Sequence, residues 1–400
     1  MKILFVSLFL PQEKAYHAGG RYVFELLRQL SQRHEIHLAT RLQDNEYSGL
    51  EELRPFCREI YPYSYPAREK RGLLDKIRLA GNYIGFSRFA DRLIRDGVFD
   101  LVQVEWVETA LCIRRGRIPM VLDAHDVISK PAGRAMNQKT GLGRIIARLR
   151  CLLVRSVEKK IMGRFTTIFT MSEYDRNYLH GMLPGVDART VPIPAGLDIG
   201  DRSFEREANT LLFLASYRYR PVNVAAALWF CREVLPLVRQ EVPDARFIIA
   251  GYGPPVELTA LAADPLIEVP GFVDDLEACY KGAAVFVAPI LQGGGIIVKI
   301  LDALAAGTPV VTTTFGNEGI GGTPGRDLLV ADDPQAFAAA VIAILRDPGL
   351  AERLTENGRA FVAEHYGLDA VLAKIETIYG ELVRKPGSGN RKDVKAFTDP

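Results

Sequence analysis

Residues 285–314 press a strand end, three successive glycines, a charged helix and a second strand into one short span, and the chain is organised around it. Val285-Phe286-Val287-Ala288 is an apolar run closed by Pro289, which reads as a buried parallel strand ending at a loop. Gly293, Gly294 and Gly295 follow. Without Cβ atoms they can turn backbone N–H groups toward a ligand and let it approach the main chain. A helix is predicted from about Ile296, because Ile297, Leu301 and Leu304 recur on one face and Gly307 with Pro309 supplies a stop. Lys299 and Asp302, three apart, share a helix face. Helix starts favour anions through unpaired N–H groups and the dipole, so a cation beside the loop and a carboxylate one turn deeper suit a diphosphate and a ribose diol. The alternative is a plain flexible loop with a solvated Lys–Asp pair, and the order of the neighbouring elements weighs against it.

That order repeats along the chain. Lys2–Ser7 reads as a first strand, and Gly19-Gly20-Arg21 opens an amphipathic helix to about Leu30, the start of a doubly wound α/β sheet. Further strands are predicted at 35–40, 99–105, 119–123, 166–171 and 189–192. Residues 42–96 read as helical and loop-rich with a basic, aromatic middle (Tyr61, Tyr63, Tyr65, Arg68, Lys70, Arg71). Pro192, Pro194 and Gly196, then the polar 198–209, look like a linker. The pattern restarts at 210–216 and continues through 245–251, 266–269, 284–288, 308–313 and 327–330. The fold class is therefore α/β, two Rossmann-like doubly wound parallel-sheet domains facing a cleft, which is the natural binding site. The expected domains are 1–198 and 206–367, followed by a helix at 368–384 that could cross back to the first domain and a disordered tail at 385–400.

At 400 residues the chain is long for one domain, and about one domain per 150 residues predicts two or three. Hydrophobic content of 48% and charged content of 24% suit a soluble globular protein. A net charge of +2 gives no reason to expect nucleic acid, so any basic patch is local. Cys57, Cys112, Cys151, Cys231 and Cys279 are scattered without a CxxC pair, which argues against a zinc site or a disulfide framework and fits a reducing compartment. No run reaches the roughly 18 apolar residues of a membrane span. Met1–Leu10 meets Pro11-Gln12-Glu13-Lys14 rather than a small-residue cleavage site, so it reads as a buried strand rather than a signal peptide. The helix at about 143–162 carries Arg144, Arg148, Arg150, Arg155, Lys159 and Lys160 against the single acid Glu158. It could lie on an anionic membrane surface or present an ordinary solvated basic face.

Taken together, these residues resemble the GT-B glycosyltransferases, in particular the retaining family 4 that uses nucleotide-sugar donors. The resemblance rests on Gly19-Gly20, DAHD at 123–126, YRYRP at 217–221, AGYGP at 250–254, PGFVDDLEACY at 270–280 and GGGIIVKILDALAAGTPVV at 293–311. It implies that Gly293, Gly294 and Gly295 face the donor sugar and diphosphate, that Lys299 and Arg220 pair with phosphate, and that Asp302 binds the ribose. It implies Val273 beside the nucleobase with Gly251 and Gly253 in the adjacent loop, His125 reaching the reacting sugar, and Gly19 and Gly20 under the phosphates or the acceptor. Three departures stand out: Gly294 where the family often has an acid, Ile297 where a glycine-rich branch has Arg, and one extra residue in 217–223.

No D-x-D occurs, so no metal and no other cofactor is expected. The implied activity is metal-independent transfer of a hexose, with retention, from a nucleotide-diphosphate sugar to a glycan or lipid-linked acceptor in polysaccharide or glycoconjugate biosynthesis. The implied location is cytoplasmic, at the membrane face if the basic helix docks there. Two alternatives stay open: a nucleotide-sugar 2-epimerase, which needs no acceptor, and a non-catalytic sugar-nucleotide binder.

Overall fold

The computed structural model describes residues 1–13, 18–66, 73–130, 141–196, 199–218, 220–292 and 295–384. Two separate sheets emerge, as the alternation of short apolar runs with helical patterns predicts. The first has seven strands: β1 (Lys2–Ser7), β2 (Glu35–Gln43), β3 (Glu59–Tyr65), β4 (Leu101–Glu105), β5 (Met120–Asp123), β6 (Thr167–Thr170) and β7 (Ala188–Thr190), in the order β3-β2-β1-β4-β5-β6-β7. The second has six: β8 (Glu207–Leu214), β9 (Arg246–Ala250), β10 (Ile267–Gly271), β11 (Ala283–Ala288), β12 (Val310–Thr312) and β13 (Leu329–Val330), in the order β10-β9-β8-β11-β12-β13.

Central strands are covered on both faces, and so read as unbroken apolar runs. β1 sets Phe5 opposite Leu38 on one side and Gln103 on the other, all buried. In the second sheet Phe213, Phe247 and Phe286 form the core with Phe230 and Phe337 from the helices above. Phe230 belongs to a helix run of 21 residues, Pro221–Glu241, long and apolar enough for a membrane span by length and composition. Its Ala227, Phe230, Val234 and Val238 are buried in that core, the place of a domain helix. In each sheet the strand order reverses beside the first strand, between β1 and β4 and between β8 and β11. In open α/β sheets such a point, at the carboxyl ends of the strands, is where ligands sit.

One expectation fails. The stretch read as helical and loop-rich contains β3, which pairs in parallel with β2. Tyr61, Tyr63 and Tyr65 are half-buried and Pro62 and Ser64 exposed, so this is an edge strand with weak alternation, where Pro62 costs no ladder bond. Tyr65 is engaged by the fold: the Arg41 guanidinium lies 4.2 Å from its ring and 4.7 Å from that of Tyr83. Arg68, Lys70 and Arg71 lie outside the described residues.

Contact density parts the chain into two compact units. One comprises Met1–Asp123, Ile161–Ile168 and the chain from Leu372; the other comprises Ala124–Lys160 and Phe169–Val371. Within the first, the terminal helix Leu368–Arg384 buries Ile375, Ile378 and Tyr379, and Tyr379 Oη donates to Gln103 Oε1. Arg33 and Glu376 form an exposed ion pair beside it at 2.5 Å.

Candidate functional site

In the second unit, four strand-end loops carry the residues singled out in the sequence. The loop after β8 ends at Arg220, the N-cap of the helix Pro221–Trp229, whose first position is a proline that gives up no needed N–H. The loop after β11 leads to the helix Val298–Ala306, two residues later than predicted, and no side chain caps its N-terminus. Lys299 lies in its first turn, half-buried, with Nζ 3.1 Å from Asn223 Oδ1 and 5.0 Å from the centre of the Phe213 ring. Asn223 is itself fixed, since its amide donates to Ser216 O at 2.7 Å.

Removal from water, followed by the charge of Arg220, pulls Lys299 down to about 7. Among the described residues neither cation has a carboxylate partner in an ion pair. Cations at the starts of two helices suit an anionic ligand. Arg218 Nη1 bonds Tyr252 Oη at 2.5 Å and its guanidinium lies 5.6 Å from the Tyr252 ring, while the charge of exposed Arg220 acts on Lys299.

Asp302 lies one turn deeper, half-buried, and Oδ1 accepts from Gly196 N at 3.0 Å. Gly251 is required where it stands: its φ is 132°, and a Cβ would fall 1.8 Å from Ala215 O. Its N–H donates to Gly271 O at 2.7 Å, tying the loop of Gly251 and Gly253 to the loop of Val273, which packs partly buried against the core. Gly293 and Gly294 lie outside the described residues, while Gly295 has φ 77°.

His125 is 8% exposed, just past the end of β5. Its loop is pinned at the far end: Glu158 accepts from Ile128 N at 2.7 Å and Ser129 N at 3.2 Å, and Lys130 pairs with Asp175 at 2.6 Å, both buried. The next residue, Asp126, has Oδ1 3.3 Å from where a Cβ on Gly295 would stand, which brings the His125 loop to the glycine loop. Gly19 and Gly20 lie in the other unit, in the first turn of the helix Ala18–Leu30.

Sequence reading missed a buried network in that first unit. Tyr22 Oη donates to Asp123 Oδ2 at 3.1 Å, Gln103 Nε2 to Glu105 Oε1 at 2.7 Å, and burial raises the Glu105 carboxyl to about 8. An acid inside an apolar strand was its only signal. Asn223 was missed as well, though a polar residue in the first turn after Arg220 could have suggested it.

The two parallel sheets define the class: two α/β domains of the GT-B type. Sucrose-phosphate synthase from Thermosynechococcus elongatus superposes with a TM-score of 0.70 at 18% identity, over 96% of this chain and 100% of that one. HepE of Anabaena in complex with UDP gives 0.64 at 13%, over 96% and 100%. The chain belongs to the glycosyltransferases: residues 19–201 match the model for glycosyltransferase family 4 and residues 208–347 that for glycosyl transferases group 1. Among curated relatives, an uncharacterised 44.6 kDa protein in the cps region of Klebsiella pneumoniae is 30% identical over 43% of this chain and 46% of its own length. A phosphatidyl-myo-inositol mannosyltransferase of Mycolicibacterium smegmatis is 31% identical over 60% of this chain and 64% of its own. The matches thus span less than two thirds of the length of either relative.

Proposed function

We propose that this chain is a retaining, metal-independent glycosyltransferase that moves a hexose from a nucleotide-diphosphate sugar to a glycan or lipid-linked acceptor. The observation that carries the reading is the half-buried Lys299 in the first turn of one helix, with Arg220 at the start of another, beside the glycine loop. Both would bind the diphosphate and offset the charge that grows on it as the sugar leaves, the part a metal plays elsewhere. The departing phosphate would help to deprotonate the acceptor, and no protein nucleophile is invoked. HepE, whose structures hold UDP and UDP-glucose, and the mannosyltransferase, whose name specifies a phosphatidylinositol acceptor, lend support.

Calorimetric titration with UDP-, GDP-, ADP- and TDP-sugars, with mass spectrometry of each mixture, tests this. One tight donor with slow release of nucleotide is expected. A donor converted without any acceptor would make the protein an isomerase, and a donor bound but never consumed under any acceptor would make it a binder.

The membrane part of the reading, a peripheral position on the cytoplasmic face, draws on the helix Gly141–Met162. Its apolar stripe points to solvent: Ile145, Ile146, Leu149, Leu152, Leu153 and Val157 are 46–66% exposed. The side turned inward carries Glu158, the helix's single acid, so the exposed rim of Arg144, Arg148, Arg150 and Lys160 stands uncompensated on this helix. Apolar side chains framed by cations match an anionic bilayer, with on the order of 1 kcal/mol from each basic residue near the surface.

A further inference from the structure

Arg41, in the first sheet, is a buried cation without a counter-charge. It stands near the end of β2, 4% exposed, and its guanidinium is spread over neutral groups: Nε donates to Leu8 O at 3.2 Å and Nη1 to Asn82 Oδ1 at 2.7 Å. The rings of Tyr65 and Tyr83 flank it at 4.2 and 4.7 Å, so cation–π contact stands in for part of the water it has lost. Among the described residues no carboxylate forms an ion pair with it, and Nη2 has no hydrogen-bond partner and is not enclosed. Burying a guanidinium is costly unless something offsets it. Tying a helix to a sheet needs no charge, since a neutral amide could donate to the same two oxygens.

The surroundings of this cation lie at the carboxyl end of the sheet. Leu8 follows β1 directly, Tyr65 ends β3, and the pairing of Thr40 with Ser7 puts Arg41 one residue past the end of β1. The strand order reverses beside β1, and that end of an open α/β sheet is where ligands bind. The loop after β1 is fixed, since Phe9 O accepts from Ser7 Oγ at 2.6 Å and from Thr40 Oγ1 at 3.2 Å. Asn82 and Tyr83 come from the helix Leu73–Asp96. One turn back from Tyr83 stands Leu79, 43% exposed, and residues 77–81 are exposed throughout, Ile77 by 61%. An uncompensated guanidinium thus adjoins an apolar helix turn open to solvent. Phosphate oxygens fit the arginine fork, and an alkyl chain fits the turn.

We propose that Arg41 binds the phosphate of an anionic amphiphile whose chain packs on the exposed turn at Leu79, which makes a lipid-linked phosphate the acceptor. The assignment narrows the acceptor of the transferase reading above and rests on that reading. The test is calorimetry with octyl phosphate, octyl glucoside and inorganic phosphate, run with saturating UDP or GDP so that the site at Lys299 is filled. Wild type should bind octyl phosphate best, and Arg41→Gln should weaken it about tenfold or more while affinity for the nucleotide stays within about twofold. Leu79→Ser, at an exposed position, should bring octyl phosphate down toward inorganic phosphate and leave the latter unaltered; it stands in should Arg41→Gln fail to fold. Octyl phosphate bound equally well by Arg41→Gln, or octyl glucoside bound as well as octyl phosphate, would overturn the assignment. Equal affinity of wild type for octyl and inorganic phosphate would point to a soluble phosphate and overturn its lipid part. Nucleotide binding without phosphate binding would refute this assignment alone, and a protein that binds no nucleotide would refute the transferase reading.

Discussion

Raising the pH should weaken donor binding because Lys299 must gain a proton to meet the diphosphate. In the empty protein desolvation, then Arg220, holds its ammonium at about 7 instead of its ordinary 10.5. A bound dianion pushes that value back up, so binding above pH 7 takes up a proton. The charged fraction of the free protein falls from about nine tenths at pH 6 to about 3% at pH 8.5, which predicts roughly 30-fold weaker binding of a nucleotide sugar over that range. The diphosphate of a nucleotide sugar keeps its charge throughout, so the slope belongs to the protein. Stability runs the other way. Between pH 7 and 10.5 the unfolded chain carries the proton and the native one does not, so stability rises with pH there, and below pH 7 the charged lysine costs on the order of 3–5 kcal/mol, the lower figure allowing for partial exposure. Lys299→Met should therefore raise the melting temperature at pH 6 while weakening the donor about 10- to 150-fold, through loss of a charge-assisted contact of about 1.5–3 kcal/mol. Calorimetry at pH 6, 7 and 8.5 on both proteins, with thermal melts alongside, reads all of this. An affinity flat with pH in the wild type, or undiminished in Lys299→Met, would refute the placement of the phosphate.

Three other perturbations follow from the structure. Glu105, raised by burial to about 8, binds its proton more tightly folded than unfolded, so its destabilising effect is absent below about pH 4.5 and complete above pH 8; Glu105→Gln should flatten the loss of stability between those limits in urea unfolding, and an unchanged pH profile would count against a protonated Glu105. Gly251→Ala drives a Cβ to within 1.8 Å of Ala215 O at φ 132°, so a loss of several kcal/mol, about 2 or more, is expected in chemical unfolding, with donor binding lost as well. Leu149→Glu with Leu153→Glu, at positions 63% and 66% exposed, should leave the melting temperature unaltered and abolish flotation with anionic liposomes; retained flotation would remove the membrane part of the reading.

Much of the architecture was legible because buried parallel strands must be apolar on both faces, and runs such as Ile3–Val6, Leu101–Val104 and Val285–Ala288 have no other comfortable home. β3 was not, since an edge strand needs only half its residues apolar and tolerates Pro62. The 141–162 helix announced two faces, but sequence cannot say which is turned outward. Only the packing of Glu158 against Ile128 N and Ser129 N shows that the apolar stripe is the outer one. The glycine loop and Lys299 were visible as a pattern, whereas Asn223 sits in local sequence that carries no distinctive spacing.

By itself, then, the sequence determined the alternation of strand and helix, the two-sheet class and the loops where backbone must come close to a ligand. These follow from local rules: the period of apolar residues, the steric freedom of glycine and the start and stop signals of helices. Tertiary structure alone decided that the charge of Arg220 reaches Lys299, that Phe213 and Asn223 lie by its ammonium, that burial raises the Glu105 carboxyl and that Gly319 presses on Gly295. Charge states and close contacts depend on through-space neighbours and on the exclusion of water, and a linear pattern encodes neither.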